Sequence, residues 1–148
     1  MNLILRPRRP GFTLLELMIV IVILGILASA VVPRVLNRPE QARRTRAVVD
    51  IRNIEAALAL FKTDTGNFPT TAQGFQALVT DPGVKGWDAD GYLKQLPKDP
   101  WGRDYIYVCP SVHGRDFDLK SLGKDGEPGG TGYNADIENW NLDQTEMK

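Results

Sequence analysis

The chain of 148 residues holds one cysteine, Cys109, and one histidine, His113. A lone thiol excludes an intrachain disulfide, and its simplest place is as a small apolar residue in a core. With one imidazole, one thiol and no nucleophile motif, a Ser/His or Cys/His catalytic site has little to be built from, so the chain reads as a non-enzyme. Net charge is missing too, because 18 basic and 18 acidic side chains cancel. The basic run Arg43-Arg44-Thr45-Arg46 lacks interleaved aromatics. It reads as a solvated helix face or a contact for anionic lipid head groups, and nucleic acid is not expected as a partner.

The neutral total conceals a division along the chain. Residues 1–11 carry Arg6, Arg8 and Arg9 with no acid, and residues 12–33 carry only Glu16. Residues 34–63 have seven basic groups against three acidic, whereas residues 64–148 have eight basic against fourteen acidic. A basic stem therefore joins an acidic head, and attraction between head and stem of different copies is one consequence.

Phe12 to Val32 reads FTLLELMIVIVILGILASAVV, 21 residues with a single charge. At ~1.5 Å per residue a helix of this length reaches about 30 Å, enough to cross a bilayer core. Arg6, Arg8 and Arg9 hold the amino end in the cytoplasm by the positive-inside rule, although Arg34, Arg38, Arg43, Arg44 and Arg46 beyond the far end weaken the asymmetry. A second reading is a secretory signal, with the apolar run Leu17–Leu27 followed by an Ala28-Ser29-Ala30 cleavage site and release of a soluble, calcium-binding remainder. Glu16 inside the apolar run, and Val31-Val32 beyond the cut, count against it.

Gly11 followed by Phe12-Thr13-Leu14-Leu15-Glu16 resembles the type IV pilin and pseudopilin class. The resemblance implies that residues 1–11 are a leader, that a prepilin peptidase cuts after Gly11 on the cytoplasmic side, and that Phe12 is N-methylated. Residues 12–33 then form a transmembrane and assembly helix in the inner membrane, and residues 34–148 a periplasmic globular domain. Pro10, beside the scissile bond, departs from the pattern. A carboxylate at mid-membrane costs ~2.5–3.5 kcal/mol, so Glu16 needs a partner or must snorkel to the interface. Cutting after Gly11 creates one new cation, the α-amino group of Phe12. By the resemblance Glu16 neutralises that amine on a neighbouring subunit, a buried pair that sets register rather than adding raw stability.

Beyond the apolar run, Val48, Ile51, Ile54, Leu58 and Phe61 recur at helical spacing, with Arg52, Glu55 and Lys62 between them. The pattern predicts one long helix from about Phe12 to Thr63, with Gly25, Pro33 and Pro39 as weak points. Gly66 is a left-handed cap candidate and Pro69 a stop. Thr71 to Thr80 reads as a short helix. A turn between Pro97 and Pro100 precedes an alternating strand over Asp104 to Val108, and "RDFDLKSLG" offers a second strand with Phe117 and Leu119 on one face. A small antiparallel sheet packed on the helix makes the fold class α+β. Trp101 and Trp140 read as core aromatics.

The segment "SLGKDGEPGGTGYNADIENWNL" combines glycines with oxygen-bearing side chains at Asp125, Glu127, Thr131, Asn134, Asp136 and Glu138. It is either a flexible acidic loop or a site for a hard cation such as Ca²⁺, which takes 6–8 oxygens. "TTAQGFQALV", "YLKQLPKDPWG", "SLGKDG" and "ADIENWN" together are similar to the major pseudopilin family of type II secretion systems. That resemblance implies a type IV pilin-like fold with a C-terminal calcium loop, in which the carbonyl of Leu122 and the side chains of Asp125 and Asp136 hold a structural Ca²⁺, with Thr131 as a further candidate. It also implies a homopolymer, the pseudopilus, that pushes folded proteins through an outer-membrane channel. Its partners would be minor pseudopilins, the prepilin peptidase, and an inner-membrane assembly platform with its ATPase. A type IV pilin for adhesion or motility is the alternative, but such pilins usually close a C-terminal loop with a disulfide that Cys109 alone cannot form.

Overall fold

A computed structural model describes residues 11–36 and 38–142. The chain divides into two compact units, with the boundary between Arg38 and Pro39. Of the expected long helix, two stretches are described: α1, Leu14–Leu36, and α2, Arg38–Thr65. Asn37, between them, lies outside the described residues, as do Arg6, Arg8, Arg9 and Pro10.

The first unit is α1. Thr13 precedes its first residue, and the Thr13 hydroxyl oxygen accepts the Glu16 N–H at 3.2 Å. That is the cap expected of a threonine three residues before a glutamate. The helix runs through Gly25 and Pro33.

The second unit forms around α2. Pro39 lies within α2, next to its first described residue, Arg38. The stripe read from the sequence is buried throughout: Val48, Ile51, Ile54, Leu58 and Phe61, joined by Ala47 and Ala57. The Gly66 N–H bonds back to the Lys62 carbonyl at 2.8 Å, and Gly66 has φ +89°, the left-handed cap expected there. Next comes a short 3-10 turn, Gly74–Leu78, inside the stretch expected as a helix, which buries Ala77 and Leu78.

The sheet has three antiparallel strands in the order β1-β2-β3. Strand β1 is Ile106–Val108 and β2 is Asp118–Ser121, paired so that Tyr107 faces Leu119. Strand β3, Ile137–Glu138, pairs Ser121 with Ile137 and Lys120 with Glu138. Two residues give no period, which is why the third strand was not legible in the sequence. Tyr105, Tyr107, Phe117, Leu119 and Ile137 pack with the α2 stripe into one core. A sheet this small needs the helix face to be stable.

Of the three residues expected in the core, Cys109 and Trp101 pack partly buried against it and Trp140 lies off the cluster. Cys109 is half-buried at the edge of the core, with its sulfur near the Asp116 carbonyl at 3.7 Å. Trp101 is partly buried, and its indole N–H donates to Glu40 at 3.1 Å. Trp140 is not part of the core cluster; its ring stacks on His113 at 4.0 Å between centroids.

Candidate functional site

Two places carry the sequence-predicted residues, one in each unit. In the first, Gly11, Phe12 and Thr13 precede α1, and Phe12 is 78% exposed. Glu16 lies in the first turn of α1, where a carboxylate complements the helix dipole. From Leu14 to Leu27, every large apolar side chain of α1 is at least 44% exposed. A helix apolar on all sides with none of them covered is built for surroundings other than water. Among the described residues no helix is long and apolar enough to cross a membrane. The side chains of residues 30–36 lie outside the described set, and with them the far part of the expected span 12–33.

In the second unit, residues 122–136 form a loop closed at its base by the β2–β3 pairing of Ser121 with Ile137. Gly123, at φ +65°, lies so near the far side of the loop that a Cβ there would meet the Ala135 carbonyl at 2.7 Å. Further cross-links are Lys124 N–H to the Tyr133 carbonyl at 3.1 Å and Asp136 N–H to the Gly129 carbonyl at 3.0 Å. Asp136 returns the second contact, its Oδ1 accepting the Gly129 N–H at 3.0 Å.

The expected ligands are placed unequally in this frame. The Asp136 side chain is 5% exposed, and its Oδ2 accepts from Lys120 Nζ at 2.8 Å. Asp125 lies in the loop's glycine-rich arm, where its Oδ1 accepts the Glu127 N–H at 3.2 Å. Thr131 precedes the short 3-10 turn Gly132–Asn134, and its carbonyl accepts the Asn134 N–H at 3.1 Å. Among the described residues, no group of three or more His, Cys, Asp or Glu side chains gathers as a metal centre. The donors present are all hard oxygens, the type Ca²⁺ takes, so the set fits the ion in chemistry, although one ammonium already matches the buried Asp136 carboxylate. Backbone carbonyls such as that of Leu122 would have to supply much of the coordination.

Cations from separate elements reach this loop, and sequence reasoning missed all of them. Arg44 of α2 donates to the Ala135 carbonyl at 2.8 Å, so the basic run is not simply a solvated face. Burial lowers the Arg44 pKa, partly offset by Tyr133. Arg43 and Arg46 do face solvent, paired with Glu40 and Asp50. Arg103 donates to the Gly123 carbonyl. Its turn is held by buried Asp99, whose Oδ1 accepts the N–H groups of Trp101 and Arg103 and whose Oδ2 accepts the Ser121 hydroxyl at 2.8 Å. Of these contacts only Lys120 to Asp136 had a sequence signal: a lysine between Leu119 and Ser121, pointing away from the face those two bury.

His113 is bound to structure, with Nδ1 at 2.9 Å from Asp118 Oδ2 and its ring on Trp140. Burial pushes the Asp118 carboxyl up, but the Ser111 hydroxyl, the Val112 N–H and His113 outweigh it and leave the pKa lowered.

Residues 34–140 match the family model described as "Type II secretion system (T2SS), protein G". The chain belongs to that family. Residues 6–32 match a second one, the prokaryotic N-terminal methylation motif. The type II secretion system core protein G of Pseudomonas aeruginosa is 52% identical over 139 residues, covering 91% of this chain and 97% of that protein. That of Vibrio cholerae is 51% identical over 138 residues, covering 91% and 94%. The crystal structure of the major pseudopilin from the type 2 secretion system of enterohaemorrhagic Escherichia coli aligns with a TM-score of 0.64 at 36% identity, covering 76% of this chain and 98% of that one. The resemblance drawn from "SLGKDG" and "ADIENWN" thus holds at the level of family and fold.

Proposed function

We propose that this protein is the subunit that polymerises into the periplasmic pseudopilus of a type II secretion system, whose growth drives folded proteins across the outer membrane. The observation that carries the reading is the tandem of matches, a methylation motif over residues 6–32 followed at once by the protein G family over residues 34–140. The leader 1–11 is removed after Gly11, Phe12 is methylated, and residues 12–33 hold the chain in the inner membrane with the head outside. The uncovered apolar faces of α1 support this, because lipid covers them before assembly and neighbouring helices cover them afterwards.

The new α-amino group of Phe12 meets the Glu16 carboxylate of the next subunit. The Thr13 cap supports that geometry by fixing, within its own chain, the first turn that carries Glu16. The other partners are minor pseudopilins, the prepilin peptidase, and the assembly platform with its ATPase. In the head, Leu122 through its carbonyl, Asp125, Asp136 and Thr131 would hold Ca²⁺. Bound there, the ion supplies a divalent tie between the two arms of the loop, and the chain's own contribution is the frame of Gly123, Gly129 and Asp136 that keeps those arms close.

Mass spectrometry of the amino terminus of membrane-extracted protein tests the processing. A chain beginning with N-methyl-Phe12 is the expected result. One beginning at Val31 would mean signal-peptide release and would end this reading.

A further inference from the structure

Lys120 holds the oxygen that a metal in this loop would need. Asp136 has Oδ1 committed to the Gly129 N–H, and Gly129 in turn accepts the Asp136 N–H, so the loop frame fixes that oxygen. Oδ2 is left to face a cation, and the Lys120 ammonium is on it at 2.8 Å. The lysine side chain is 24% exposed, partly covered on the face of the sheet opposite Leu119 and Ser121. A second seat exists for it: Lys120 and Glu138 are direct partners across the β2–β3 ladder, where opposite charges attract.

We infer that Lys120 is a built-in competitor for calcium. Loading the loop is an exchange in which the ammonium leaves Asp136 for Glu138 and the divalent ion takes the vacated oxygen. In the metal-free chain the same ammonium keeps the buried carboxylate paired, so the loop is held closed but its calcium affinity is lowered. The inference rests on the calcium reading above.

Calcium titration of the full chain in detergent, followed by calorimetry, tests it with Lys120→Met, Lys120→Arg and Glu138→Gln. A charge-assisted hydrogen bond removed from the competing side is worth on the order of tenfold in affinity. Lys120→Met is therefore expected to bind calcium about tenfold tighter, and to melt at a lower temperature than the parent in chelator. Lys120→Arg keeps the competing charge and stays near the parent. Glu138→Gln removes the second seat and binds several-fold more weakly, an effect that vanishes when combined with Lys120→Met. Equal or weaker binding by Lys120→Met would overturn the exchange, and so would a Glu138→Gln effect that survives in the double variant. If parent and variants alike give no calcium heat while remaining folded, the calcium reading itself fails and takes this inference with it.

Discussion

Asp99 is a single carboxylate on which a turn and a strand depend. It is 4% exposed, and it accepts from the Trp101 and Arg103 N–H groups and from the Ser121 hydroxyl. Replacing it with Ala leaves those donors without an acceptor, an expected loss of about 3 kcal/mol in urea unfolding. Asp99→Asn keeps one acceptor oxygen and should lose less. Asp118 gives a pH signature. Its folded pKa lies below the ordinary 3.8, so its stabilisation is fully present above that value and is lost as pH falls through the lowered one. Melting temperature should therefore drop below about pH 4, with a shallower slope in Asp118→Asn. A variant with an unchanged slope would mean that Ser111, Val112 and His113 do not favour the ionised form.

Helix ends and loop closures give the next set of expectations. Gly66 and Gly123 both have positive φ, but a Cβ at Gly66 meets nothing within 4 Å, whereas one at Gly123 meets the Ala135 carbonyl at 2.7 Å. Gly66→Ala should cost roughly 1–2 kcal/mol, the strain of a left-handed residue alone. Gly123→Ala should cost roughly twice that or more, because the loop neck must also open. Equilibrium unfolding of both distinguishes them, and equal losses would contradict the close approach. The same contrast shows what was legible. The α2 stripe and the Gly66 cap follow from local spacing and were readable, as were the strands at Tyr107 and Leu119. Strand β3 is too short to show a period, and the seats of Trp140 and Arg44 depend on partners 27 and 91 residues away, His113 and Ala135. For the site, Asp125 and Asp136 were named from family resemblance. Of the cations that answer the loop, only Lys120, between buried Leu119 and Ser121, carries a local signal, and nothing local marks Arg44 or Arg103 as a clasp.

At the scale of the whole chain, α1 exposes its large apolar side chains from Leu14 to Leu27, and the second unit has its own closed core. On the proposed function, Ca²⁺ tying the arms of the loop would stabilise the head by about 2–3 kcal/mol at a hundredfold excess over its Kd. Chelation should then lower the melting temperature by several degrees, and Asp125→Ala should abolish the response; no change on chelation would remove the metal. The apolar end implies the larger consequence. On the proposed function, this uncovered helix assembles in register by the lone carboxylate in its first turn meeting the amine that cleavage before Phe12 would create. The most direct test is fibre formation by Glu16→Leu in cells that supply the rest of the secretion system, with processing monitored in the same samples. The expected result is a correctly cleaved and methylated chain that stays in the membrane and forms no pseudopilus. Fibres of normal register and secretion at the parental level would contradict the account.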